Sequence, residues 1–191
     1  IYEAPISFFN EKLDKQVLKY FKLKPKRKVN LQPWKKITNT VLNAKDLINI
    51  AIIGKYVNLK DAYKSLDEAL VHGGIKNNVK INLIRIESDK LKTIQIKKLL
   101  KGVSGILIPG GFGSRGTEGK ISAISYARKN KIPFLGICFG MQMAVIEFAR
   151  NTLKIKNAGS SELDNKCLSV IGLLNEWNKN GKLIKGTNKN L

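Results

Sequence analysis

From Leu47 onward, short apolar runs alternate with longer amphipathic stretches, and that alternation limits the chain to very few architectures. Asn49–Gly54 (Asn-Ile-Ala-Ile-Ile-Gly) is continuously apolar, as a strand buried on both faces must be. Asp61–Ile75 has helical spacing, with Gly73 and Gly74 closing it. Val79–Ile86 then reads as a strand, Thr93–Leu100 as a helix and Gly105–Ile108 as a strand. Glu118–Asn130 is helical, Pro133–Ile137 is a fourth strand, and Phe139–Arg150 is a strongly apolar helix. Strands that alternate with helices of this length build right-handed βαβ units around a parallel sheet. The expected fold class is therefore α/β, a doubly wound parallel sheet. Past Asn151 the pattern changes: Leu168–Asn175 and Lys182–Lys185 read as the arms of a hairpin around Asn178-Lys179-Asn180-Gly181.

Residues 1–46 follow a different pattern. Leu13, Val17, Leu18 and Phe21 give Glu11–Phe21 the spacing of a short amphipathic helix. Lys24–Asn30 is a basic, proline-containing linker candidate, and Pro33 opens a second short helix through Trp34, Ile37, Val41 and Leu42. Two small helices around a linker make no core, so 1–46 reads as a tail leaving one domain and entering another, at 47–191. The chain opens on Ile1 without a basic-then-apolar signal layout, and its natural amino terminus is expected upstream.

Composition narrows the function. At 43% hydrophobic and 26% charged residues the chain has a real core, and it lacks the run of about 18 apolar residues that a membrane span needs. Cys138 and Cys167 cannot form a disulfide framework, which points to a reducing, cytoplasmic setting. With 35 basic against 14 acidic residues the net charge is +21, which permits binding to polyanions. The basic residues are almost all lysine and scattered, with no aromatic stacking platform among them, so neither nucleic acid nor membrane is expected as a partner.

In an open parallel sheet, chemistry collects at the carboxyl ends of the strands. One such end is Gly136-Ile137-Cys138-Phe139-Gly140, between an apolar strand and an apolar helix. It is a nucleophile elbow with cysteine as the nucleophile: flanking glycines let the chain turn sharply enough to expose the side chain. The following helix points its positive end at the sulfur, and the backbone N–H of Phe139 can donate to an oxyanion. The bland alternative is a small buried hydrophobe, as free cysteines often are.

The second strand end is Pro109–Gly116, with Gly-x-Gly-x-x-Gly at 111, 113 and 116. A dinucleotide site would need an acid about 20 residues on, and Lys131–Gly140 contains none. A P-loop is also absent, because Ile121 follows Gly119-Lys120. The loop can instead present backbone N–H groups toward Cys138 and so complete an oxyanion hole.

Gly-Ile-Cys-Phe-Gly-Met-Gln at 136–142, preceded by Pro-Gly-Gly-Phe-Gly, resembles the class I glutamine amidotransferases, and among them the CTP synthase family. Further matching stretches are Asp61–Ser65, His72-Gly73-Gly74, Glu118-Gly119, Ala144–Asn151 and Ile1–Pro5, the last similar to the end of that family's synthetase domain. The resemblance implies a flavodoxin-like sheet and hydrolysis of L-glutamine through a thioester on Cys138. The released ammonia would aminate UTP in an ATP-dependent, Mg²⁺-dependent reaction activated by GTP. By the same resemblance Gly111 and Phe139 form the oxyanion hole, and Gly111, Phe139, Gly140, Met141 and Gln142 line the glutamine site. Glu162 holds the substrate's amino group, which needs a carboxylate partner. Phe112 and Arg115 belong to a lid associated with GTP. Gly159 and Leu163 stand where the family carries Asn and Phe. No metal ligand and no cofactor is expected in these residues; ATP, Mg²⁺ and UTP belong to an amidoligase domain, in an enzyme expected to be a homo-tetramer.

Acyl transfer by a thiol needs a general base, a histidine oriented by a glutamate in this class. The only histidine is His72, which the resemblance makes structural, and the family's catalytic pair lies much further beyond the cysteine than Leu191. The chain thus reads as a middle piece of a longer enzyme, inactive toward glutamine by itself. Two other readings stand beside it: another class I amidotransferase or related hydrolase, and a catalytically silent assembly subunit. Cys167, near the start of a strand-like run, reads as structural.

Overall fold

A computed structural model describes the whole chain except Asn58, Lys60, Lys92, Phe112 and residues 173–175 and 186–191, with only the backbone considered at 93–95, 177 and 179. It divides into two compact units, Ile1–Ile48 with Lys64–Asn82, and Asn49–Tyr63 with Leu83–Leu191.

The first unit is mainly helical: α1 (Ala4–Asn10), α2 (Leu13–Tyr20), α3 (Gln32–Asn43) and α4 (Lys64–Lys76). Proline stands in the first turn of α1 and α3, where its missing N–H has no intrahelical partner to lose. Tyr2 joins these pieces: its hydroxyl donates to Glu68 Oε2 at 3.0 Å, its carbonyl accepts from Thr38 Oγ1 at 3.2 Å, and its ring meets His72 edge-on. Helix α1 is an element the sequence reading did not anticipate. The helices read at Glu11–Phe21 and after Pro33 are present as α2 and α3.

The second unit carries most of the sheet, built from β1 (Leu47–Gly54), β2 (Lys80–Glu87), β3 (Gly105–Ile108) and β4 (Phe134–Gly136) in the order β2-β1-β3-β4, the first residues of β1 and β2 falling in the first unit. The pairs β1–β3 and β3–β4 are parallel, with Ala51 opposite Ile106 and Leu107 opposite Leu135. This order is that of the flavodoxin-like fold, with a switch point between β1 and β3. Burial follows position: all of β3 and the second half of β1 are buried, whereas the outer strands β2 and β4 are partly exposed. Helices α5 (Thr93–Leu99), α6 (Thr117–Lys129) and α7 (Phe139–Asn151) supply the rest of the core, in which Ile121, Ile124, Ala127, Met143 and Ile146 pack against Ile53, Ile106 and Ile108.

After α7 the strand pairing departs from expectation. Leu168–Ile171 (β6) pairs in parallel with the short strand Ala158–Ser160 (β5), not with Lys182–Lys185. The hairpin exists, but its arms are Glu176–Lys179 (β7) and Lys182–Lys185 (β8). Asn180 and Gly181 have φ of 53° and 79°. Two successive left-handed residues are the mark of a two-residue type I′ turn, so the turn is Asn180-Gly181 and the hairpin shifts toward it.

One buried ion pair ties α6 to α7. Glu147, 1% exposed, accepts from Arg128 Nε at both oxygens, at 3.0 and 3.3 Å, from Arg128 Nη2 at 2.8 Å, and from Asn151 at 3.0 Å. Burial by itself pushes this carboxyl up, but the bonds from Arg128 and Asn151 and the Arg128 charge hold it below the ordinary carboxylate range. A depressed folded-state value means stability that is present above the unfolded value and lost as pH falls through the folded one. Glu147→Gln is expected to cost about 1 kcal/mol at pH 7, since the neutral amide gives up the charge-assisted bonds from the part-exposed Arg128 guanidinium. The gap to the parent should close on acidification below about pH 4, measured by urea unfolding.

Candidate active site

Strand β4 ends at Gly136, α7 begins at Phe139, and Cys138 is the residue between. Its backbone lies at φ 51°, ψ −109°, a left-handed conformation for a residue with a side chain. The glycines two positions to either side make it attainable. A Cβ on Gly136 would stand 2.6 Å from the Gly140 carbonyl carbon and the Met141 nitrogen, and one on Gly140 would run into the Ile108 carbonyl. No real Cβ fits in either place. The strand ends are also bonded directly, with Ile137 N–H donating to Ile108 O at 2.9 Å. Held in this way, Cys138 is exposed at the carboxyl edge of the sheet, and the first-turn N–H of Phe139 has no intrahelical partner.

The glycine loop after β3 lies alongside. A Cβ on Gly110 would stand 3.5 Å from the Cys138 Cβ, and one on Gly111 would meet nothing within 4 Å, so open space adjoins the loop next to the thiol. Gly140 is buried under the turn, Met141 is exposed, and Gln142 donates its N–H to Cys138 O at 3.1 Å while its buried Oε1 has no hydrogen-bond partner among the described residues. Arg115 is largely exposed and pairs with Asp89 at 3.2 Å. Phe112 lies outside the described residues. Glu162 follows β5 on an exposed turn, its N–H donating to Ser160 Oγ at 3.3 Å. Its charge favours the charged form of Lys55, the smallest of the influences on that lysine. His72 belongs to the first unit, on α4 against the Tyr2 ring. Cys167 donates to Asp164 O at 3.0 Å.

The family model "Glutamine amidotransferase class-I" matches residues 58–184. The chain belongs to the class-I glutamine amidotransferases. The chain is 72% identical over 191 residues to a CTP synthase of Pelagibacter ubique, covering all of this chain and 36% of the relative. It is 51% identical over 178 residues to a CTP synthase of Maridesulfovibrio salexigens, covering 93% of this chain and 32% of that one. A solved structure described as the Trypanosoma brucei CTPS glutaminase domain with bound acivicin superposes with a TM-score of 0.60 at 37% identity, over 63% of this chain and 47% of the other. The chain thus spans about a third of the length of the curated relatives it matches.

Two buried lysines beside this turn escaped the sequence reading. Lys55 leaves the end of β1 only 7% exposed and donates to Gly113 O in the glycine loop at 2.8 Å. Lys120, on α6, is 1% exposed, and its ammonium stands 4.6 Å from the centre of the Phe139 ring, with that of Lys55 at 5.7 Å. The one available signal was positional: Lys120 shares a helix face with Thr117, Ile121, Ile124 and Ala127, all of them buried. Burial pushes the Lys120 ammonium down to about 8, Lys55 adds to the effect, and Asp89 opposes it. Lys55 is lowered by burial and by Arg115, against Asp89 and Glu162.

A lysine whose folded-state value is depressed costs stability wherever the unfolded chain would hold its proton. That cost is constant below about 8 and fades as pH rises toward the ordinary 10.5. Lys120→Met should therefore be more stable than the parent by about 1–3 kcal/mol at pH 7. Denaturant unfolding should show the parent gaining stability between about pH 8 and 10, a rise that the variant lacks.

Proposed function

We propose that this chain is the glutaminase part of a CTP synthase, which hydrolyses L-glutamine on Cys138 and delivers the ammonia for ATP-dependent amination of UTP. The observation that carries the reading is the backbone of Cys138: a left-handed cysteine between two glycines, at the strand-to-helix turn of a class-I amidotransferase sheet. Such a turn costs of order 1–3 kcal/mol in backbone strain, and it gives the thiol an exposed position beside free N–H groups.

The chemistry follows from these residues. The Cys138 sulfur attacks the side-chain amide carbon of glutamine, and the carbonyl oxygen becomes an oxyanion held by the N–H groups of Phe139 and Gly111. Collapse of the tetrahedral adduct breaks the C–N bond, and the departing nitrogen takes a proton and leaves as ammonia. The glutamyl thioester that remains is hydrolysed by water, which gives glutamate and the free thiol. Glu162 accepts from the substrate's α-amino group, and Gly140, Met141 and Gln142 line the pocket. The response to GTP is assigned to Phe112 and Arg115.

The general base is assigned to a histidine and glutamate elsewhere in a longer protein. The outer strand β4 supports this assignment. Leu135, Ile137, Met141, Val145 and Phe148 leave an exposed apolar surface beside Cys138, suited to further chain of the same domain. Residues 1–46 are assigned to the tail of the amidoligase domain and the linker, and the homo-tetramer to the whole enzyme. Mg²⁺ and ATP are assigned to the amidoligase part, by the likeness to CTP synthases. No helix among the described residues is long and apolar enough to cross a membrane.

Ammonia release from glutamine tests the reading. The natural protein containing this chain should release ammonia, and Cys138→Ala should lower the rate by about a thousandfold or more. The isolated 191 residues should show no turnover above that variant. A natural protein in which Cys138→Ala keeps its glutaminase rate would overturn the assignment.

A further inference from the structure

Two ammonium groups are buried beside the nucleophile turn, where the hydrolytic mechanism has no evident use for them. Among the described residues Lys120 forms no ion pair; its ammonium faces the ring of Phe139, and Asp89 is the acid whose charge acts on it. The neighbouring positions on the same face of α6 are Ile121, Ile124 and Ala127, residues that fill such a place without desolvating a charge. A buried lysine that lowers stability and lies against a catalytic turn has the profile of a residue kept for function.

The contacts say which function. Phe139 supplies both the N–H donor on the nucleophile turn and a ring that is 2% exposed. A cation within about 6 Å of a ring centre is attracted to its face, more strongly when both are out of water. Lys120 and Lys55 both meet that distance, and Lys55 at the same time grips the carbonyl of Gly113 in the loop that carries Gly111. The two halves of the oxyanion hole come from different connections, β3 to α6 and β4 to α7. Lys55 touches both, and Lys120 loads the ring from α6.

We propose that Lys55 and Lys120 are positioning residues that clamp the glycine loop to the nucleophile turn through the Phe139 ring, holding the two oxyanion donors in register. The proposal rests on the glutaminase reading above. A clamp of this kind acts on the transition state more than on bound glutamine, because donor alignment matters most once the oxygen carries charge.

The test uses the natural protein carrying Lys120→Met, Lys55→Met or both, read by glutamine turnover, thermal unfolding and alkylation of Cys138 by iodoacetamide. Lys120→Met should lower kcat about tenfold or more, with KM for glutamine within about threefold. Its unfolding temperature should rise, and its alkylation rate should stay within about twofold of the parent, since the thiol itself is untouched. The double variant should lose little more than the worse single one, as members of one clamp are not additive. A Lys120→Met protein with unchanged kcat overturns the proposal. So does one that loses kcat and stability together, as a packing residue would, or one whose alkylation falls in step with kcat. If the parent releases no ammonia above its Cys138→Ala control, the glutaminase reading itself fails and the clamp with it, whereas an active parent with an equally active variant removes the clamp alone.

Discussion

Helix α7 starts so close to strand β3 that a methyl group would not fit between them: a Cβ on Gly140 would run into the carbonyl of Ile108. That approach, together with the bond from Ile137 N–H to the same carbonyl, fixes where the chain turns after β4. With both ends of the turn pinned to the central strand, Cys138 has no room to relax out of φ 51°. Its exposure, the free N–H of Phe139 and the nearness of the Gly110–Gly111 loop all follow from this one close contact. The scaffold can hold it because β3 is buried along its whole length and cannot move aside.

A second constraint is electrostatic and works against stability. Evolution of a core usually removes charges, and this core retains Lys120 and Lys55 on the inner side of the nucleophile turn. The Glu147–Arg128 pair solves the same problem differently, since there the buried carboxylate has its counterpart on the facing helix, in a guanidinium that reaches solvent. The contrast separates two uses of buried charge within one unit: a matched pair that joins α6 to α7, and an unmatched ammonium set against an aromatic ring at the site.

The sequence made much of this legible, for physical reasons. Fully buried strands must be apolar without interruption, so β1 and β3 announced themselves, and the glycines around Cys138 stood out because few other motifs need two so close. Other features left no such mark. Strands β5 and β6 are three and four residues long, too short to show a period, and their parallel pairing had to be found in three dimensions. The hairpin was expected with the wrong first arm because Leu168–Ile171 is more apolar than Glu176–Lys179, although Asn180-Gly181 marked the turn correctly. Helix α1 was hidden by Pro5, which reads as a break unless it is recognised as a first-turn residue. The buried lysines were lost among 35 basic side chains, nearly all of which are ordinary surface charges. Burial of a lysine is a tertiary fact, and only its place on the inner stripe of α6 hinted at it.

The central claim is that Cys138 carries the acyl group during turnover. It is tested most directly by acid-quenching the natural protein while it consumes glutamine and locating the trapped glutamyl group by peptide mass spectrometry. The account predicts a glutamyl adduct on the peptide containing Gly136–Gly140, attached at Cys138 and lost after brief treatment with hydroxylamine, as a thioester must be. Ammonia release with the adduct on Cys167, or with no covalent adduct under conditions that trap thioesters, would contradict it.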